Sequence, residues 1–120
     1  MRSLPAIDRA ALERLRARAT ADAPEFFVEM ATMFVAEIDR RRVAIADALA
    51  REDSDALARA AHSLGGSAKL FGATRLAEFC RQLQNAPHPS IADARVIVVA
   101  LNVECDEVRA VIKAESSLGS

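Results

Sequence analysis

Hydrophobic positions recur along this chain with the period of an α-helix rather than the two-residue period of a strand. The pattern is interrupted at four places, and the segments between the interruptions predict five helices. The first helix is short, and the other four are longer. Their predicted bounds are residues 8–18, 23–51, 54–71, 74–85 and 90–115.

Capping signals support these bounds. Asp22 stands three residues before Glu25, which is the spacing of a capping box at the start of the second helix. Pro24 suits the first turn of the same helix, because a proline there gives up an amide that has no intrahelical partner. The remaining signals are Asp53 or Ser54 before the third helix, Gly72 after it, Thr74 at the start of the fourth, and Ser90 before the fifth.

One segment is ambiguous by propensity alone. The stretch "VIVVALNV", residues 96–103, is rich in β-branched residues and could form a strand. No other segment predicts a strand to pair with it, so we predict a helix here. Because short loops favour antiparallel neighbours, the pattern predicts an all-α fold, an antiparallel up-down four-helix bundle with a short extra N-terminal helix. A length of 120 residues suits a single domain spanning residues 1–120.

Composition narrows the function classes. The net charge of −1 argues against a nucleic-acid-binding protein, which would carry a basic excess. No apolar run is long enough for a membrane span, and the N-terminus shows no secretory signal. Cys80 and Cys105 both fall within apolar patterns, which predicts buried reduced thiols and a cytoplasmic protein. Two cysteines and two scattered histidines do not have zinc-binding spacing.

The third predicted helix carries His62 away from its apolar stripe. At about 100° per residue, the stripe points in the opposite direction from the histidine. His62 is therefore predicted to face solvent, either as an unused surface residue or as a reactive group. The stripe consists of Leu57, Ala60, Leu64, Ala68 and Phe71.

The neighbours of His62 favour the reactive interpretation. Gly65 and Gly66 flank it on the next turn, although each glycine costs a helix interior about 1 kcal/mol relative to alanine. Lys69 and Arg59 place positive charge at the edge of this cleared patch. Since an exposed imidazole is a competent nucleophile near pH 7, the arrangement predicts a histidine that receives a phosphoryl group from a partner protein. The chain has no nucleotide-binding motif of its own.

The segment "AHSLGGSAKLFGATRLAEFCRQLQ", Ala61 to Gln84, resembles the signature of histidine-containing phosphotransfer (HPt) domains. The five-helix pattern extends the resemblance over most of the chain. The residues that match the family pattern are Ala61, His62, Leu64, Gly66, Ser67, Gly72, Ala73, Leu76, Cys80, Leu83 and Gln84.

The resemblance implies a phosphorelay intermediate of a bacterial two-component system. His62 would accept a phosphoryl group, on Nε2, from an aspartate of a receiver domain and pass it to another receiver. Gln84 would hydrogen-bond the other ring nitrogen, and Gly65, Gly66, Ser67, Lys69 and Arg59 are the remaining candidate site residues.

The same resemblance implies a carrier without enzymatic activity. Its partners would be response-regulator receiver domains and a hybrid histidine kinase, docked chiefly on the second and third helices. No cofactor is expected, because Mg²⁺ would belong to the receivers. A monomer is expected, with no nucleic acid or membrane partner. Whether the protein is free-standing or one domain of a larger kinase stays open.

The chain departs from the family at Gly65, where a lysine or arginine is usual. We expect Lys69 to supply part of the missing charge, with Arg59 and Arg75 as further candidates. Gly65→Lys is expected to stabilise the helix and to leave transfer equal or faster. The departure keeps open an HPt-like docking module with little or no transfer. Less favoured are a plain bundle for oligomerisation and an enzyme that uses His62 as a general base.

Overall fold

The computed structural model describes residues 6–23, 25–85 and 88–118, and within these ranges the chain is helical with no strand. The segment "VIVVALNV" is therefore helical, as the missing strand partner predicts. The helices are α1 (Arg9–Asp22), α2 (Phe26–Ala50), α3 (Ser54–Leu70), α4 (Thr74–Gln84) and α5 (Ile91–Leu118).

Helices α2 to α5 form a four-membered bundle. Helix α3 packs between α2 and α4, and α5 closes the ring against α2 and α4 on the opposite side. The short helix α1 lies against α2 and α3. The predicted fold class, an up-down bundle with an extra N-terminal helix, is confirmed. The helix that carries His62 thus has a groove on each side, one toward α2 and one toward α4.

Aliphatic and small side chains fill the centre of the bundle, since the sequence offers only five aromatic residues. Phe34 and Phe71 stack with their ring centroids 4.4 Å apart at the α2–α3 contact. Cys80 and Cys105 are free and buried, as predicted. Burial raises the pKa of both thiols to about 12, because the thiolate would lose its hydration.

The capping box predicted for α2 is wrong. Asp22 is the last residue of α1, because the alanine-rich end of that helix continues beyond the predicted stop at Arg18. Helix α2 begins at Phe26, and Glu25 occupies its N-cap without a side-chain cap hydrogen bond. Pro24, predicted in the first turn of α2, lies outside the described residues.

The capping signals at Asp53, Gly72 and Ser90 are confirmed, whereas Thr74 is the first residue of α4 and its N-cap is Ala73, which makes no side-chain cap hydrogen bond. The Asp53 side chain accepts a hydrogen bond from the Ala56 amide at 3.0 Å, and Ser90 Oγ accepts one from the Asp93 amide at 3.1 Å. Gly72 has φ +74°, the left-handed conformation of a C′ glycine. A Cβ there would also lie 2.8 Å from the Asp8 carbonyl oxygen, so close approach of the chain just before α1 requires glycine as well.

Candidate functional site

His62 lies on the exposed side of α3 and reaches across to α4. Its Nδ1 is 2.8 Å from Oε1 of Gln84, the last residue of α4. The burial pattern of α3 explains this orientation, because Leu57, Ala60 and Leu64 face the core and turn the histidine outward. The two residues that the sequence placed on different helices are therefore in direct contact.

The contact defines which ring nitrogen is available for chemistry. An amide oxygen only accepts hydrogen bonds, so Nδ1 must carry the proton and donate to Gln84 Oε1. In the neutral ring, Nε2 then keeps its lone pair and has no proton to lose before it attacks. This arrangement orients the ring of His62 and makes Nε2 the nucleophilic atom.

A groove of about 230 Å³ extends from His62 along the boundary between α3 and α4. We refer to it as the α3–α4 groove. Gly65 and Gly66 form its floor on the α3 side, and Lys69 stands at its far end. The α4 side carries Ala77, Arg81 and Gln84, with Asn85 just beyond the helix.

The two adjacent glycines have different surroundings. Gly65 is buried, and a Cβ on it would lie 3.1 Å from the Cβ of Cys80 on α4. Gly66 is exposed, and a Cβ there would meet nothing within 4 Å. Gly65 thus permits the close approach of α3 and α4, whereas packing within the chain places no demand on Gly66.

This difference bears on one expectation from the sequence. Helical-wheel geometry placed Gly65 in the cleared patch beside His62, and Gly65→Lys was expected to stabilise the helix. The expectation considered only helix propensity and left out the neighbouring helix. A Cβ at position 65 would lie 3.1 Å from the Cβ of Cys80, so α3 and α4 would have to separate there by a few tenths of an ångström.

The structure places some of the candidate basic residues beside His62 and others elsewhere. Of the described basic residues, Lys69 and Arg81 line the α3–α4 groove, whereas Arg59 and Arg75 do not. Arg75 instead pairs with Glu104 and Glu107 on α5. Ser67, a predicted site residue, lies on the other side of α3 and lines the groove toward α2.

Arg81 is the groove residue that the sequence analysis missed. It stands three residues before Gln84, so the two side chains share one face of α4. That spacing was readable from the sequence once Gln84 was placed beside His62. The periodicity of the third helix does not include Arg81, because this residue lies on the following helix.

A second groove, of about 440 Å³, lies between α2 and α3 and is mainly apolar. We refer to it as the α2–α3 groove. Met30, Met33, Phe34, Leu70 and Phe71 supply most of its lining. Met33 is 71% exposed and Leu70 is 50% exposed, so the groove presents two large apolar side chains to solvent. The two grooves flank the helix that carries His62.

Two further properties concern the described part of the chain as a whole. None of its helices combines the length and apolar character that a membrane span requires. No group of three or more histidine, cysteine, aspartate or glutamate side chains in the described ranges is placed to hold a metal ion.

Comparisons with known proteins identify the class of this fold and site. A model of the Hpt domain matches residues 29–111, which is more than half of the chain. The protein therefore belongs to the Hpt domain family, and the resemblance drawn from Ala61–Gln84 is confirmed.

A solved structure supports the assignment. The crystal structure of histidine-containing phosphotransfer protein B (HptB) from Pseudomonas aeruginosa PAO1 is similar to this chain, with a TM-score of 0.81 and 26% sequence identity. The similarity covers 96% of this chain and 97% of that chain. A search among curated proteins finds no match.

Proposed function

We propose that the protein is a phosphorelay intermediate that accepts a phosphoryl group on His62 from a receiver-domain aspartate and passes it to a second receiver. The observation that carries this proposal is the exposed His62 ring, held at Nδ1 by Gln84 with Nε2 left free. Membership of the Hpt domain family and the similarity to HptB support it. The fully open space above Gly66 also supports it, because an incoming protein surface could approach there.

The transfer step follows from the hydrogen-bonding state of the ring. The Nε2 lone pair of His62 attacks the phosphorus of the aspartyl phosphate, so that a P–N bond forms. The P–O bond to the aspartate breaks, and the carboxylate leaves with the electron pair. The ring gains positive charge, which the Nδ1–H···Oε1 hydrogen bond to Gln84 stabilises. Transfer to the second receiver is the same step in reverse.

In this proposal the chain supplies a nucleophile and a docking surface and has no catalytic activity of its own. It needs no cofactor, since the Mg²⁺ of both steps belongs to the receivers. Its partners are response-regulator receiver domains and a hybrid histidine kinase that feeds them. It acts as a monomer in the bacterial cytoplasm, a setting supported by the source of HptB and by the buried, unpaired thiols.

The test is a labelling experiment with the full chain and a panel of receiver domains from its own genome, each phosphorylated on aspartate. Acid-labile, base-stable phosphate is expected on the wild type and on His88→Gln, because His88 is an exposed residue outside both grooves. No label is expected on His62→Gln. Label that persists on His62→Gln would show that His62 is not the acceptor.

Gln84 offers a graded version of the same test. Gln84→Leu removes the acceptor for Nδ1–H, so the ring loses both its orientation and the stabilisation of its developing charge. A hydrogen bond to a charged group is worth about 1.5–3 kcal/mol, which corresponds to transfer slowed by roughly 10- to 100-fold. Gln84→Glu keeps an acceptor and is expected to retain more activity than Gln84→Leu.

The receiver is expected to dock on the α2–α3 groove, because that surface presents Met33 and Leu70 beside the histidine helix. Met33→Glu and Leu70→Glu should each weaken receiver binding by about tenfold or more. Val99→Glu is the matched control, since Val99 is 67% exposed on α5, on the opposite side of the bundle. Equal loss in all three variants would exclude this docking surface.

A docking module without transfer is the second candidate. The glycine at position 65 favours it, because that position is usually basic in the family that the sequence resembles. It predicts receiver binding that Met33→Glu weakens, together with no phosphate on the wild type. The labelling experiment therefore separates the two candidates.

A further inference from the structure

Arg81 stands in the α3–α4 groove one turn before Gln84 on α4. Helices α3 and α4 run antiparallel, so a step of one turn back along α4 is a step of one turn forward along α3. Arg81 is therefore opposite the turn of α3 that follows His62, where Gly65 and Gly66 lie. Neither glycine has a side chain to separate the guanidinium group from the space in front of the imidazole.

The guanidinium group of Arg81 is already engaged with an anion. Its Nε donates to Glu78 Oε1 at 2.8 Å, and its second nitrogen donates to Glu78 Oε2 at 2.5 Å. This paired geometry is the one in which arginine also binds two oxygens of a phosphoryl group. The side chain of Arg81 is 53% exposed and that of Glu78 is 42% exposed, so the pair is open to exchange.

We propose that Arg81 binds the phosphoryl group carried by His62, and that Glu78 holds the guanidinium group while the histidine is unmodified. This inference rests on the proposed phosphorelay function and adds to it a positioning residue on α4. In this chain, the positive charge that is missing at position 65 comes from the neighbouring helix.

Charge and exposure favour the exchange. An exposed ion pair between residues three apart on a helix is weak, so releasing Arg81 from Glu78 costs little. A phosphoryl group carries up to two negative charges and three acceptor oxygens, whereas the carboxylate of Glu78 carries one charge and two oxygens. The modified histidine is therefore the stronger partner for the same guanidinium group.

Lys69 is the alternative cation, and its position is less favourable. It stands two turns beyond His62 on the same helix, about 10 Å along the axis at 1.5 Å per residue. Its ammonium group would reach the phosphoryl group only with the side chain extended along the groove. Lysine also offers a single point of charge, whereas arginine offers a planar pair of donors.

The experiment compares the wild type with Arg81→Gln, Lys69→Gln and the matched control Arg51→Gln, whose exposed ion pair with Asp47 lies outside both grooves. Each full-length variant is phosphorylated with phosphoramidate, a small donor that needs no partner protein, and with a phosphorylated receiver. Arg81→Gln is expected to slow transfer from the receiver by about tenfold and to shorten the lifetime of the phosphohistidine. Arg51→Gln should match the wild type, and Lys69→Gln should have the smaller effect of the two groove variants.

Two further measurements distinguish positioning from a purely structural role. Glu78→Gln releases Arg81, so it should leave transfer equal to the wild type or faster, the opposite of Arg81→Gln. The side-chain NMR signal of Arg81 Nε–H should shift when His62 is phosphorylated, and it should not shift in His62→Gln treated in the same way.

The outcomes separate this inference from the proposed function. If the wild type takes no phosphate from either donor, the phosphorelay function itself is wrong. If the wild type is labelled but Arg81→Gln stays within twofold in both rate and lifetime, the function stands and Arg81 has no part in it. A larger loss in Lys69→Gln than in Arg81→Gln would assign the role to Lys69 instead.

Discussion

Helix α4 presents two arginines to two different neighbours. Toward α5, Arg75 lies with Nε 3.1 Å from Glu104 Oε1 and with a second nitrogen 2.6 Å from Glu107 Oε2. Toward α3, Arg81 pairs with Glu78 of its own helix at the edge of the groove that holds His62. The first pair is at an interface between helices, and the second is on the surface of one helix.

Burial gives the two glutamates opposite properties. Glu104 is only 5% exposed, and the loss of hydration raises its pKa although Arg75 acts to lower it. Glu78 is largely hydrated, and the hydrogen bond from Arg81 lowers its pKa to about 2. Pairing with arginine therefore does not by itself define the role of a carboxylate. Arg75 compensates a buried charge, whereas Arg81 is free to change partners.

The largest expected effect is on stability, and it is seen when each of the two arginines is replaced. The comparison tests whether the buried pair and the exposed pair differ. Arg75→Met leaves the buried Glu104 carboxylate without its main partner, and we expect the free energy of unfolding to fall by about 3 kcal/mol. Arg81→Met removes only an exposed pair, and we expect a change below about 0.5 kcal/mol. Urea unfolding followed by circular dichroism measures both values.

A double variant provides the control for this prediction. Arg75→Met combined with Glu104→Leu removes both charges and should recover most of the lost stability, because an apolar pair replaces a buried ion pair at little cost. If Arg75→Met costs no more than Arg81→Met, the two pairs are equivalent and the distinction between the two sides of α4 is wrong.

Substitution of the two glycines that face α4 from α3 is expected to change the free energy of unfolding by an intermediate amount. Gly66→Ala adds a methyl group in open space, so the gain in helix propensity should raise the free energy of unfolding by about 0.5–1 kcal/mol. Gly65→Ala gains the same propensity but presses on Cys80 at 3.1 Å, and overpacking of this kind costs about 1–3 kcal/mol. We therefore expect Gly65→Ala to be less stable than Gly66→Ala by at least about 1 kcal/mol.

Each glycine variant serves as the control for the other, since both residues lie within one turn of the same helix. Thermal or urea unfolding measures the difference, and transfer from a phosphorylated receiver adds a second readout. Gly66→Ala should slow transfer while it stabilises the fold, because the methyl group enters the approach to His62. Equal stability of the two variants would mean that α4 shifts to accommodate a side chain at position 65 without a cost in stability.

The glycine pair also shows which features of the site can be predicted from the sequence. Periodicity within one helix predicts that His62 is exposed and that Leu64 is buried, and both are so. The burial of Gly65 depends on how closely α4 approaches α3. The sequence pattern of α3 alone does not predict the distance between the two helices. The same limit applies to Arg81, whose spacing from Gln84 is visible in the sequence, whereas its place opposite Gly65 depends on the packing of α3 against α4.

The helix caps show a related limit of prediction from the sequence. Asp53 and Ser90 are followed by uninterrupted helical segments, and both act as the predicted caps. Asp22 has an equally good local pattern, but the helix before it continues through Ala19 and Ala21, which favour a helix. Two local signals then compete for the same residues, and the sequence motif alone does not decide between them.

The smallest expected effect is the pH dependence of the two glutamates, which should have opposite signs. The folded-state pKa of Glu104 is raised above 4.5, so the folded state binds protons more tightly than the unfolded chain, and stability falls as the pH rises through that window. The folded-state pKa of Glu78 is lowered to about 2, so its contribution is complete above pH 4.5 and is lost as the pH falls toward 2.

Glu104→Gln and Glu78→Gln isolate these contributions when urea unfolding is measured from about pH 3 to pH 7. The stability of Glu104→Gln relative to the wild type should increase as the pH rises from 3, because the variant has no buried charge to desolvate. The stability of Glu78→Gln relative to the wild type should decrease over the same range, and only slightly, because the Arg81 pair is exposed and screened by solvent. If the relative stabilities of the two variants changed with pH in the same direction, solvent would reach Glu104 as freely as Glu78. The buried Arg75–Glu104 pair and the exposed Arg81–Glu78 pair would then be equivalent.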